Sequence, residues 1–169
     1  MEVMFYEAVF KAFNEKGIEY LVVGGIAANL HGVPRATADL DLAVAIKEEN
    51  LKKIVSVMRD LGFQPRLPVE IEDFASLENL EMWHREKNMQ VFTFWNPKTP
   101  YSEIDIFIHN PIDFNELNRS REMIDAGDLS IPIVSLDCLI ELKTLSDREQ
   151  DRSDIAALEK IRKLRGGND

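Results

Sequence analysis

Residues 23–44 read VGGIAANLHGVPRATADLDLAV. The glycine pair, Gly24 and Gly25, closes the short β-rich run IEYLVV and opens IAANLH, a segment able to form one short helix before Gly32 and Pro34. Asp39 and Asp41 then fall inside ADLDLAVAI, which alternates strictly. A strand of period two puts Leu40, Leu42, Val44 and Ile46 on one face, and Asp39, Asp41, Ala43 and Ala45 on the other. Neighbouring carboxylates repel, and burying them unpaired costs on the order of several kcal/mol. A hard cation such as Mg2+ is the economical compensation, because it takes carboxylate oxygens. The plainer alternative is the solvent face of a half-covered sheet.

A second alternating run, YSEIDIFIHN, places Ile104, Ile106 and Ile108 on one face and Glu103, Asp105 and Phe107 on the other. If the two strands are neighbours, Asp39, Asp41 and Asp105 converge. Such a trio suits one or two divalent ions carrying substrate phosphates. The glycine pair adds to this. It lets backbone approach a ligand, and the helix that follows offers free N–H groups to an anion. It is neither a Walker loop nor G-x-G-x-x-G, and a tight strand-to-helix turn is the alternative.

The rest of the chain frames this stretch. The 169 residues suffice for one domain, 1–169, with a core over about 17–110 and a helical part over about 135–165. Thirty acidic residues against twenty basic ones give a net charge of −10, which argues against a broad nucleic-acid footprint. Cys138 is the single cysteine, so no internal disulfide forms, which fits a cytoplasmic location. No apolar run approaches the ~20 residues that span a bilayer. Phe5, Ala8, Val9, Ala12 and Phe13 predict an N-terminal amphipathic helix, and Leu51, Ile54, Val55 and Met58 mark another that ends near Gly62. MQVFTFW reads as a strand, and REMIDAGDLSIPIVS as short strands around a turn. Residues 63–88 read as loop or edge followed by a helical or irregular piece. The C-terminal helices carry a capping box at Ser146–Glu149, and RGGND is expected to fray. The order predicts an α/β (α+β) domain with a mixed sheet flanked by helices.

The glycine pair, the D-x-D strand and the distal Asp strand together resemble the nucleotidyltransferase superfamily, the polymerase-beta-like fold. The run Arg35, Thr37, Asp39, Asp41 is most similar to a small prokaryotic branch that includes AbiEii-type toxin and antibiotic nucleotidyltransferases. LIELKTLSDREQDRSDIAAL near the C-terminus extends the likeness, which leaves out roughly residues 63–88. The resemblance implies an enzyme that moves a nucleoside monophosphate from an NTP to a hydroxyl acceptor. Asp39 and Asp41 would bind the metals holding the triphosphate, two Mg2+ ions with Mn2+ as a substitute. Asp105 would bind the catalytic metal and help deprotonate the acceptor, and Gly24 and Gly25 would hold the β and γ phosphates. The acceptor is open among small molecule, protein and RNA. A non-catalytic nucleotide-binding domain, or one facing an antitoxin partner, is the competing reading, and a metal-dependent phosphohydrolase is a third.

Supporting residues carry two readings each. Lys143 falls on the apolar face of its helix and could reach a triphosphate, or snorkel at the helix end. Arg35 and Thr37 could touch phosphate, or be a loop arginine and a strand-favouring threonine. Asp151 and Asp154 share a face with Leu158 and could pair with Lys143 or Arg148, but read first as dipole-favoured acids in a helix's first turn. His31 reads as structural, while His84 and His109 show no metal spacing. Trp83, Phe92, Phe94 and Trp95 read as core, or as one ring stacking on a base.

Overall fold

A computed structural model describes residues 6–166. Phe5 and the final residues of RGGND lie outside them. The elements are α1 (Glu7–Glu15), β1 (Tyr20–Val23), α2 (Gly24–His31), β2 (Leu40–Val44), α3 (Glu48–Asp60), β3 (Gln64–Pro65), a 3-10 turn (Ile71–Ala75), α4 (Leu77–Lys87), β4 (Val91–Trp95), β5 (Glu103–Phe107), α5 (Phe114–Arg119), β6 (Glu122–Ala126), β7 (Leu129–Ile133), α6 (Leu136–Ser146) and α7 (Glu149–Gly166). The strands form one mixed sheet in the order β3-β4-β5-β2-β1-β7-β6. β2 pairs antiparallel with β1 and parallel with β5. The sheet is flanked by helices, as the alternation of strands and helices predicts.

β2 sits at the middle of this sheet, and both of its faces are covered. Leu40, Leu42 and Val44 are fully buried on one face, and Ala43 on the other. On β5, Ile104 and Ile106 are fully buried on one face, while Glu103, Asp105 and Phe107 on the other are half-buried. A strand covered on both sides has no solvent face. The half-exposed alternative therefore fails from Ala43 onward, but Asp41 itself is only half-buried. The strand itself is shorter than the alternation suggests. It begins at Leu40, so Asp39 is an exposed residue of the approach to β2 and not part of the ladder.

The segment 63–88 resolves into a two-residue edge strand, the 3-10 turn and α4. Ser76 caps α4 by accepting from the Asn79 N–H at 3.2 Å. Phe74 packs against Phe92 and Phe94, and Trp83 stacks on Phe92, so these rings belong to the core. α5, capped by Asp113, was not evident in the residue pattern. The capping box expected at Ser146–Glu149 does not form. Ser146 ends α6, Asp147 turns left-handed, and Asp151 reaches back to the Arg148 N–H at 3.0 Å. His31 is structural: its Nε2–H donates to the buried Val134 carbonyl at 2.8 Å.

Asn50, buried at the start of α3, ties the end of β2 to the entrance of β1. Its Oδ1 accepts from the Glu19 N–H at 2.9 Å, and its Nδ2 donates to the carbonyls of Ala45 (2.9 Å) and Glu19 (3.1 Å). Asn50→Ala leaves the Glu19 N–H without a partner, while the Glu19 and Ala45 carbonyls still accept from the Ala45 and Lys47 N–H groups. It is expected to cost about 2–3 kcal/mol and to lower Tm by about 5–10 °C, as read by thermal unfolding.

Candidate active site

The parallel pairing of β2 with β5 sets Asp41 directly opposite Asp105. On the other side of β2, Val23 pairs with Asp41, so the chain leaves β1 beside that carboxylate and turns at once into α2. Gly24 makes that turn with φ +68°, and a Cβ there would lie 2.1 Å from Asp41 Oδ2. Both the left-handed backbone and the close approach require glycine. Gly25 is tight for a second reason: a Cβ would lie 2.7 Å from Thr37 Oγ1 and 3.1 Å from an Arg35 guanidinium nitrogen. The glycine pair thus lets α2 start against the D-x-D segment.

These groups open into a cleft of about 690 Å³. Gly24, Asp41, Asp105 and Lys143 line it, together with Arg148, Asp151 and Ser146. Of the other residues singled out in the sequence, Gly25, Arg35, Thr37 and Asp39 stand behind or beside this lining. Lys143, only 5% exposed, donates to Asp154 Oδ2 at 2.8 Å and lies 3.6 Å from Asp151 Oδ1. Arg35 donates to the same Asp154 oxygen at 2.7 Å. Arg148 Nε donates to Asp151 Oδ2 at 2.9 Å. Asp151 and Asp154 therefore hold the cations of the site, and are not merely acids of a helix's first turn. The sequence signal for this was their spacing on one face of α7, toward Lys143.

The two sets of carboxylates differ in their electrostatics. Burial pushes the Asp151 carboxyl up, but the Arg148 side chain and N–H, with help from Ser146, outweigh it and hold it at about 2. Asp41 moves the other way. Burial, then the charges of Asp105 and Asp39, raise it to about 7 despite Arg148 and Lys143 nearby. No hydrogen bond among the described residues reaches the Asp41 carboxylate. Asp105 is also raised, by burial first and by Asp39 and Glu103 in part. The Thr93 hydroxyl, which donates to its Oδ1 at 2.6 Å, opposes this. Asp39 is raised by burial and by the charge of Glu103.

Asp41 and Asp105 are hard oxygen donors that lack positive charge of their own, and that chemistry fits a divalent cation. Among the described residues, however, no three carboxylate, imidazole or thiolate side chains stand close enough to form a ready metal cluster.

Beyond Asp105 the cleft holds two residues that the sequence reading set aside. His84 of α4 and His109, just after β5, stack face to face, with ring centres 4.0 Å apart and planes 8° from parallel. His109 lies just past the end of β5 and lines the same cleft, a position that strand parity alone does not assign.

No protein-family model matches the chain, and no curated protein matches its sequence. Solved structures do match in shape along nearly the whole length. The lincomycin-bound lincosamide antibiotic adenylyltransferase LnuA aligns with a TM-score of 0.59 at 17% identity, over 95% of this chain and 96% of that one. ANT(2")-Ia in complex with adenylyl-2"-tobramycin gives 0.58 at 13% identity, over 98% and 95%. The chain has the nucleotidyltransferase fold. A nucleotidyltransferase-like protein from Paracoccidioides brasiliensis shares that fold, with a TM-score of 0.58 at 14% identity, over 95% of this chain and 75% of its own. Among the described residues, no helix of this nucleotidyltransferase fold is long and apolar enough to cross a membrane.

Two measurements test the geometry. The folded Asp41 carboxyl, near 7, holds a proton that the unfolded chain releases near 3.8. Stability from this group therefore falls as pH rises from about 4 to about 7 and stays low above. In EDTA, Asp41→Asn is expected to raise Tm by several degrees at pH 8 and to leave it nearly unchanged at pH 4. Gly24→Ala is expected to cost roughly 2–4 kcal/mol, because strained backbone and a clash add. Gly127→Ala, at φ +70° with no atom within 4 Å of the new Cβ, carries the backbone strain alone, about 1 kcal/mol. Equal losses in the two variants, measured by denaturant unfolding, would remove the close approach from the account.

Proposed function

We propose that this protein is a Mg2+-dependent nucleotidyltransferase that transfers a nucleoside monophosphate from an NTP to a hydroxyl acceptor. The observation that carries the reading is the in-register pair Asp41 and Asp105, with the Gly24 turn against Asp41, at the floor of a cleft that also holds Lys143 and Arg148. The LnuA structure, an adenylyltransferase, and the ANT(2")-Ia structure, which holds adenylyl-2"-tobramycin, support the same reaction class.

Asp41 and Asp105 would hold the metal, and Asp39, exposed on the approach to β2, would have to join them for a second ion to bind. Bound there, Mg2+, or Mn2+ in its place, would neutralise the triphosphate and stabilise the charge that builds on the transferring phosphoryl group. The turn at Gly24 and Gly25 presents the start of α2 to the β and γ phosphates. Lys143 adds a cation, and its two aspartate partners fix where that cation sits. Arg35 and Thr37, packed against Gly25, support the cradle. Thr93 occupies one oxygen of Asp105 and leaves the other to take the acceptor's hydroxyl proton. The acceptor oxygen then forms its bond to the α-phosphorus as the bond to pyrophosphate breaks.

Incubation with each α-labelled NTP, Mg2+ and cell extract is expected to place label on an acceptor and release pyrophosphate. Asp41→Ala and Asp105→Ala should each reduce transfer by at least about 1,000-fold, in keeping with losing a metal ligand or base. Release of inorganic phosphate with no labelled acceptor would mean a phosphohydrolase. Full biological effect in Asp105→Ala would instead favour a nucleotide-binding domain without transfer chemistry.

A further inference from the structure

The cleft is chemically divided. Every Asp, Glu, Lys and Arg in its lining, Asp41, Asp105, Lys143, Arg148 and Asp151, belongs to the carboxylate end or to the α6–α7 junction. The remainder is dominated by Val91, Phe107, Leu139 and Leu142, and by the stacked His84 and His109. Val91 and Phe107 are paired in register across β4 and β5, so they form a continuous apolar floor next to the Thr93–Asp105 pair. His109, just past the end of β5, continues that floor beyond Phe107.

The direction of the reaction assigns this floor. In-line displacement sets the attacking and leaving oxygens on opposite sides of phosphorus. The phosphate cradle, at Gly24 where β1 ends, lies across β2 from Asp105. The attacking hydroxyl therefore enters from the far side of Asp105, over β5 and β4. That side offers neither a cationic track for a nucleic-acid terminus nor carboxylates for a polycation. It offers apolar surface and a flat imidazole pair. The Met89 carbonyl can only accept, so Nδ1–H of His84 donates to it at 3.0 Å. In the neutral imidazole this leaves Nε2 as a hydrogen-bond acceptor.

We infer that the end of the cleft formed by Val91, Phe107 and the stacked His84–His109 pair is the acceptor site, and that it takes a small, uncharged, largely apolar hydroxyl compound with a flat ring lying against the imidazoles. The inference rests on the nucleotidyl-transfer reading for its direction, and goes beyond it by naming the acceptor class and the residues that select it. His84 and His109 set specificity. They stand away from the phosphates and take no part in their binding.

The test uses the full chain with isotope-labelled histidine, observed by NMR, with a non-hydrolysable ATP analogue plus Mg2+ as one probe and 2-phenylethanol as the other. The alcohol is expected to shift the ring signals of His84 and His109 whether or not the nucleotide analogue is bound. His109→Ala should weaken the alcohol at least tenfold and leave the analogue's affinity within twofold. His109→Phe, which keeps a flat ring at this exposed position, should restore the alcohol to within threefold. The inference is overturned if the analogue itself shifts the histidines and excludes the alcohol, because the pair would then face the nucleobase. It is also overturned if an RNA hairpin or kanamycin binds this end more tightly than the alcohol, or if no probe shifts the pair. Failure of the analogue to bind at all is a separate result. It removes the nucleotidyl-transfer reading, while the alcohol arm still reports whether the histidine end is a binding site.

Discussion

Main-chain hydrogen bonds between β2 and β5 hold Asp41 and Asp105 opposite one another, and much else in the molecule answers that constraint. The ladder is rigid, so the carboxylates cannot simply move apart. Leu40, Leu42, Ile104 and Ile106 anchor the same two strands from the opposite face, and their burial stabilises the pairing that the charges oppose. Gly24 removes the side chain that would collide with Asp41. Thr93 neutralises part of the cost at Asp105 by donating a hydrogen bond. What is left uncompensated, chiefly at Asp41, is a demand for positive charge in a place that only the cleft can supply.

The α6–α7 junction solves the opposite problem. Lys143 is buried beside two acids, and each acid has a second cationic partner, Arg148 for Asp151 and Arg35 for Asp154. Both acids of this network are paired, although Arg35 Nε is buried without a partner, and breaking one member leaves a buried charge uncompensated. It gains position more than stability: Arg35 comes from the loop before β2, so the network ties the C-terminal helices to the segment that leads into the D-x-D strand. The site thus sets an unpaired carboxylate cluster next to a paired ionic one, and the contrast between the Asp41 and Asp151 pKa values follows from hydrogen bonding and charge.

The parts of this arrangement that follow from short-range periodicity were readable in the residues. Period two assigned Leu40 and Ile104 to the core and turned Asp41 and Asp105 to the same side. The glycine pair marked the turn. The strand end at Asp39 was not readable, because alternation persists past the last ladder bond. Residues 63–88 lack a clean period, and their helix depends on Phe74 and Trp83 packing on β4 rather than on their own pattern. Asp151 and Asp154 resemble ordinary first-turn acids until Lys143 is placed beside them. The His84–His109 stack joins α4 to the end of β5, and no local pattern encodes a contact between two such distant segments.

The parallel pairing of β2 with β5 also has a kinetic side. β1 and β2 are close in sequence and pair antiparallel, so they can form early with little loop-closure entropy. β5 must be drawn in across α3, the 3-10 turn, α4 and β4, and non-local parallel pairing of this kind is intrinsically slow. The charges meet only in that step. A repulsion that is an equilibrium property of the finished site is therefore also part of the barrier to completing it, and a chain whose β5 has not yet docked is spared the cost.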